Sequence, residues 1–328
     1  MEGEWSPRCE PTPGLVTPVP IDPAGRSGPT RGQAAGPRWR RTSPGLFVPA
    51  DVVTHVEQRI VEGAARLGHY GAVSGWAALR WRGAAYFDGH DREGSALPIP
   101  LAVGRSCLRP GVGIERLRRQ IPLWEWDVHR GLRCALWERA LYDEVIRLGT
   151  PRTSAVAIDM VVAAGLGTIA DYWAFLEQVR PRNGVVLSRA AAALARGTSA
   201  SPPESWMRLT WCLDAELPEP LCNAPVFDLH DNLLGVADLF DPVAGVVGEY
   251  QGAIHRSRDQ HRHDVERAER FRDHGLEYFE VVAGQLYDVR TASRMRAIRA
   301  RARFLPPGER SWTLEKPEWW LSRHPTAA

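Results

Sequence analysis

The sequence predicts a multidomain α/β (α+β) chain, and three observations carry that expectation. Its 328 residues are enough for two or three modest domains. The composition, 44% hydrophobic and 24% charged, is that of ordinary globular proteins with ample material for buried cores. Strand-like alternation and helix-like periodicity also follow one another along the chain, with a helical block at 136–198 and a helix, three strands, a helix and a strand after it. The boundaries fall at a loose arm (1–20), a small domain (21–95), a mixed connector (96–198), a third domain (199–290) and a basic helix with an aromatic tail (291–328).

Composition narrows the function classes. Net charge is only +2, so no global polycation announces nucleic acid. Lys316 is the sole lysine and the remaining 40 cations are arginine, so phosphate contacts fall to Arg forks or backbone amides. The five cysteines, Cys9, Cys107, Cys134, Cys212 and Cys222, are scattered without CxxC pairs, which speaks against structural zinc or a disulfide framework and fits a reducing cytoplasm. The acidic, Pro-rich start is unlike a signal peptide. The most apolar stretch, 153–176, is broken by Asp159, Asp171 and glycines and cannot span a bilayer.

From Ile21 the elements read in order. Thr30 begins a short helix, Arg38-Trp39-Arg40-Arg41-Thr42 is a basic turn, and Gly45–Pro49 is an apolar strand. Helical patterns follow over Val52–Leu67 and Tyr70–Leu79. Helices beside a basic turn and a strand are the ingredients of a winged-helix module, which sets one helix in the major groove. Arg38, Arg40 and Arg41 are then DNA-facing, or simply a solvated edge. Strands are expected over 97–103, 113–123 and 124–134, and helices over 153–164, 168–179 and 188–196.

Ser201-Pro202-Pro203-Glu204 reads as a capping box with Pro in the first turn. At 100° per residue Trp206, Leu209, Leu213 and Leu217 form a core stripe, with Glu204 and Arg208 opposite. Ala224–Leu229 is a first strand. Two further apolar runs flank Asp241-Pro242-Val243-Ala244-Gly245, a hairpin loop. Centred between Val243 and Ala244, that loop puts Asp238 opposite Glu249, and alternation puts Gln251 on the same side as Glu249. Opposed carboxylates roughly 5 Å apart repel. A divalent cation, Mg²⁺ or Mn²⁺, relieves the repulsion, unless one side chain turns to solvent or the register slips. After the hairpin a charged helix runs from Ser257 to His274 with Val265, Ala268 and Phe271 as its apolar stripe, then a strand over Leu276–Val282. His261 and His263 face apart on a helix, so a zinc site with His255 is discounted. Six arginines between 290 and 303 form a basic helix, suited to phosphates or merely solvated.

Ser201-Pro202-Pro203-Glu204, Asp238, Glu249, Gly252, His255, Asp264 and Arg267, in that order and on those elements, resemble the very-short-patch-repair-like endonuclease domains of the PD-(D/E)xK phosphodiesterase superfamily. The match covers about 200–288. The resemblance implies a restriction-endonuclease-like mixed sheet flanked by helices, and a metal-dependent DNA endonuclease. Asp238, Glu249 and the Tyr250 carbonyl would hold Mg²⁺ or Mn²⁺, with Glu204 as a further ligand or base. Gln251 would position water, His255 would shuttle a proton, and Arg256, Arg258 and Arg267 would grip DNA. Gln251 departs from the pattern, standing where the wider fold has Lys and this group usually has Asp. The preceding region is similar to an AbiEi-type antitoxin winged helix. The alternative is an antitoxin-like DNA-binding regulator whose nuclease-shaped domain has lost its chemistry.

Overall fold

A computed structural model describes residues 5–10, 12–68, 71–104, 108–109, 111–179, 183–252 and 258–324, the side chains of 258–263 excepted. The chain is mixed α/β and divides into two compact units, Met1–Gly197 and Thr198–Ala328. Among the described residues no helix is long and apolar enough to cross a membrane.

The first unit opens with β1 (Val19–Pro20), α1 (Arg31–Ala34), β2 (Trp39–Ser43) and β3 (Leu46–Pro49), a small antiparallel sheet in the order β1-β3-β2. Thr30 and Gln33 cap α1 reciprocally, as the sequence signals. Next come α2 (Val56–Ala64), β4 (Ala72–Val73), α3 (Gly75–Trp81), β5 (Ile99–Ala102), β6 (Ile114–Leu117), β7 (Trp126–His129) and β8 (Leu132–Ala135). The stretch read as one helix from Tyr70 is therefore a two-residue strand followed by a helix. Tyr70 itself lies outside the described residues. Strands β4 to β8 form one five-stranded sheet, β6-β5-β4-β8-β7, so segments 21–95 and 96–198 share a sheet. The expected strand 124–134 is a hairpin, because Arg130 (φ 46°) and Gly131 (φ 79°) both take the left-handed conformation that a tight turn between twisted strands demands.

Part of the N-terminal segment expected to be loose is tied down. The Gln58 amide donates to the Val16 carbonyl and accepts from the Val16 N–H, and Cys9 and Ala85 exchange backbone bonds with Gly83 and Pro7. Proline-rich composition suppresses helix and internal strand pairing, but it does not prevent a segment from lying along partners already folded. Four helices complete the unit: α4 (Trp137–Leu148), α5 (Pro151–Ala163), α6 (Ile169–Gln178) and α7 (Val185–Leu194).

The second unit begins with α8 (Pro202–Leu209), continued by a π turn over Thr210–Asp214. Of the expected stripe, Leu209 is buried and Trp206 and Leu217 pack against the core, and the wider turn rotates only the residues after it. Met207, Trp211 and Ala215 are buried, whereas Leu213 is 41% exposed. Glu204 and Arg208, expected on the outer side, are both buried. Then follow β9 (Ala224–Asp228), β10 (Leu233–Ala237), β11 (Leu239–Asp241), β12 (Val246–Gln251), α9 (Arg258–Asp273), β13 (Glu277–Val282), α10 (Val289–Arg301), β14 (Trp312–Thr313) and α11 (Glu318–Arg323). Strands β10, β9 and β14 form one antiparallel sheet. In the other, β12 lies antiparallel to β11 and parallel to β13, with α9 as the crossover.

The second of these sheets separates two apolar clusters. On one side Val246, Phe279 and Val281 meet Met207 and Trp211, together with Met295 and Ile298 of α10. On the other, Val247 and Tyr278 meet Ala268 and Phe271 of α9. Val265, the third member of the expected α9 stripe, is 43% exposed. The aromatic tail closes the β9 edge. Trp312 packs against Phe240, Trp319 and Trp320 meet Phe227 edge-on, and the Trp319 indole donates to the Asp231 carbonyl.

Candidate functional site

The hairpin between β11 and β12 decides which side chains can meet. Leu239 pairs with Gly248, Phe240 with Val247 and Asp241 with Val246. Continued by one residue, that register puts Asp238 across from Glu249. The loop is held by Asp241, whose carboxylate accepts the N–H groups of Val243 and Ala244 and a 2.7 Å bond from Arg299. Gly245 takes the positive φ (74°) that closes the turn. Arg299 thus serves the fold, and so do its neighbours on α10: Arg301 pairs with Glu277, and Arg296 donates to the Asp214 carbonyl.

Asp238 sits at a bend where the expected continuous strand breaks into β10 and β11. Its Oδ2 accepts the Tyr250 N–H at 2.8 Å, a bond that anchors the carboxylate to the facing strand. Glu249 is 3% exposed. Its Oε2 accepts from Arg267 Nη2 of α9 at 2.5 Å, while its Oε1 is buried without a hydrogen-bond partner among the described residues. Burial pushes the Glu249 carboxyl up to about 8, and the Asp238 charge adds to this against the pull of Arg267. Burial also pushes Asp238 up to about 6, opposed by the Tyr250 N–H and assisted by the charge of Glu204. The two acids therefore feel each other, and at neutral pH the bare pair tends to keep a proton.

Glu204 works at the helix start, as its place in Ser201-Pro202-Pro203-Glu204 suggests. Its Oε1 accepts from the Ser201 hydroxyl (2.6 Å), and its Oε2 from the Ala200 N–H and the Asn223 amide (both 2.7 Å). Pro202 and Pro203 remove two N–H groups from the first turn, and Ser201 makes no bond to a helix N–H. The capping box is therefore one-sided: Glu204 reaches back, and Ser201 serves Glu204. Both oxygens being engaged, Glu204 acts on Asp238 through its charge. Among the described residues no three His, Cys, Asp or Glu side chains form a ligand group by themselves.

Gln251 ends β12 on the side of Glu249, facing α9. It lines a cavity of about 330 Å³ with Asp264, Val265, Ala268, Arg272, Tyr278, Phe279, Glu280 and Arg294. Glu280 was not foreseen. The parallel register pairs it with Glu249, and the Tyr278 hydroxyl donates to it at 3.0 Å. An acidic residue in an alternating strand was visible in the sequence, but the order of the strands was not. Tyr250 packs on the opposite apolar cluster. His255 and Arg256 lie outside the described residues, and Arg258 starts α9 with its side chain outside the description.

Comparison with protein-family models, curated proteins and solved structures returns no match. The chemistry of this site rests on its own geometry.

That geometry suits a hard divalent cation. One Glu249 oxygen has no donor among the described residues, and beside the half-buried Asp238 it offers hard carboxylate oxygens of the kind that suit Mg²⁺ or Mn²⁺. In the first unit, the three candidate arginines are not equivalent. Arg40 forms a bidentate pair with Glu62 of α2 (3.0 and 2.6 Å), which removes it from the free basic edge. Arg38 and Arg41 are exposed, and the Arg41 Nε donates to the Ser43 carbonyl.

Proposed function

We propose that the second unit is a Mg²⁺- or Mn²⁺-dependent DNA endonuclease of the very-short-patch-repair-like type, with a restriction-endonuclease-like core, acting in the cytoplasm. The observation that carries this is the Glu249 carboxylate, buried opposite Asp238 with one oxygen lacking a donor among the described residues. The order of elements supports it: Glu204 on α8, Asp238 at the bend between β10 and β11, Glu249 on β12 and Arg267 on α9 follow one another in the order of the resemblance, with Gln251 as the departure. The first unit would supply DNA binding through an AbiEi-like winged helix with Arg38 and Arg41 as phosphate contacts.

Asp238, Glu249 and the Tyr250 carbonyl would hold the cation. A cation bound there would supply Lewis-acid polarisation of the scissile phosphate and a lowered pKa for a bound water. The bond between the Tyr250 N–H and Asp238 keeps one carboxylate oriented. Gln251, on the same face, accepts a hydrogen bond from the attacking water and orients it without adding charge. Burial of Glu249 and Asp238 keeps bulk water from screening them. His255, Arg256 and Arg258 remain candidates for proton transfer and phosphate contact.

The test is nicking of supercoiled plasmid by the full chain with Mg²⁺ or Mn²⁺, lost on Glu249→Ala. Cleavage that survives the substitution refutes the site. A second reading, an antitoxin-like DNA-binding regulator with a silent nuclease fold, is favoured by one observation: Glu204 is fully engaged as a cap and Gln251 is neutral. Salt-sensitive DNA binding with no cleavage of any DNA form selects it.

A further inference from the structure

Arg267 was expected on DNA, yet its guanidinium lies against Glu249, with the Asp264 carboxylate 3.7 Å away. We propose that Arg267 is an exchangeable counter-ion. It holds Glu249 while the carboxylate pair lacks a metal, yields that oxygen to a divalent cation, and then pairs with the phosphate bound on the same face. The inference rests on the metal site proposed above.

Charge and geometry carry it. Glu249 and the half-buried Asp238 share one guanidinium, which reaches only one oxygen of Glu249 and leaves Oε1 without a donor among the described residues. A doubly charged ion between Asp238 and Glu249 neutralises both acids. It also turns Arg267 from a needed partner into a surplus cation, which suits an arriving phosphodiester. The side chain is free to make the exchange. It is 33% exposed, and its Nε is buried without a partner among the described residues. A phosphate would satisfy Nε and Nη2 together as a fork. The stem passes beside Gly235, where an added Cβ would lie 3.1 Å from Arg267 Cδ. A glycine there gives the stem room to lie close against β10.

The test is calorimetric titration of the full chain with Mn²⁺ at pH 8, with and without inorganic phosphate. Arg267→Met should bind Mn²⁺ about tenfold more tightly than the parent, since a nearby competing positive charge is gone. Arg267→Lys, which keeps the charge, should stay within about twofold of the parent. Phosphate should tighten Mn²⁺ binding in the parent and lose that effect in Arg267→Met, because the coupling is reciprocal. If Arg267→Met does not fold by circular dichroism, Arg267→Gln replaces it. An unchanged or weaker Mn²⁺ affinity in the folded variant overturns the counter-ion role and leaves the metal site standing. Phosphate coupling that persists undiminished overturns the phosphate half. Folded parent and variant that both ignore Mn²⁺ overturn the metal site and this inference with it.

Discussion

Replacing Glu249 with Gln should remove a pH dependence of stability that the parent carries. In the parent the carboxyl is pushed from 4.5 up to about 8 by burial and by Asp238. Between those values the unfolded chain has released its proton while the folded chain retains it. Stability contributed by this group is therefore fully present below about pH 4.5 and is lost as pH rises toward 8. Through the window from pH 6.5 to 8 the loss is on the order of 1–2 kcal/mol. For a unit of this size that lowers the melting midpoint by about 5 °C. Asp238, pushed up to about 6, contributes its own loss mainly below this window, between about pH 4 and 6. Gln keeps an oxygen for Arg267 but has no proton to lose. Melting curves of the full chain and of Glu249→Gln across pH 6.5–8 give the comparison, in which unrelated titrations cancel. Saturating Mn²⁺ should flatten the parent curve, because the ion replaces the proton. Parallel midpoints for parent and variant across the window would refute a buried, proton-retaining pair.

Two further expectations concern the frame that holds the pair. Gly248→Ala places a Cβ 2.5 Å from Phe279 Cζ, so urea unfolding should show a loss of about 1–3 kcal/mol, with Phe279→Leu restoring part of it. Arg299→Met leaves Asp241, 2% exposed, without its cation. A loss of about 2 kcal/mol is expected in the same assay, together with weaker Mn²⁺ binding, because the loop that sets the register loosens.

Local signals in this chain are legible from the residues alone. The breaker cluster from Asp241 to Gly245 marks its hairpin, and the register that pairs Leu239 with Gly248, one residue short of Asp238 and Glu249, follows from turn placement and the two-residue period of a strand. Thr30 and Gly275 mark helix ends for equally local reasons, whereas Thr153 and Ser188, read as helix starts, lie inside α5 and α7, which begin at Pro151 and Val185. Of the expected stripe on α8, Leu209 is buried and Trp206 and Leu217 pack on the core, whereas Leu213 is turned out by the π turn, which arises from how the end of the helix packs. Leu213 and Val265 are apolar at helical spacing and still face solvent.

The acids, their order and their shared face were thus set by the sequence through interactions that reach only a few residues. Which positive charge each acid meets was decided by tertiary structure. Arg267 lies 18 positions from Glu249, and Arg299 lies 58 from Asp241. Both meetings exist because a parallel crossover and a docked helix bring those side chains onto the sheet. No periodicity encodes such pairings, since a salt bridge depends on where whole elements pack and not on the spacing of residues along one of them.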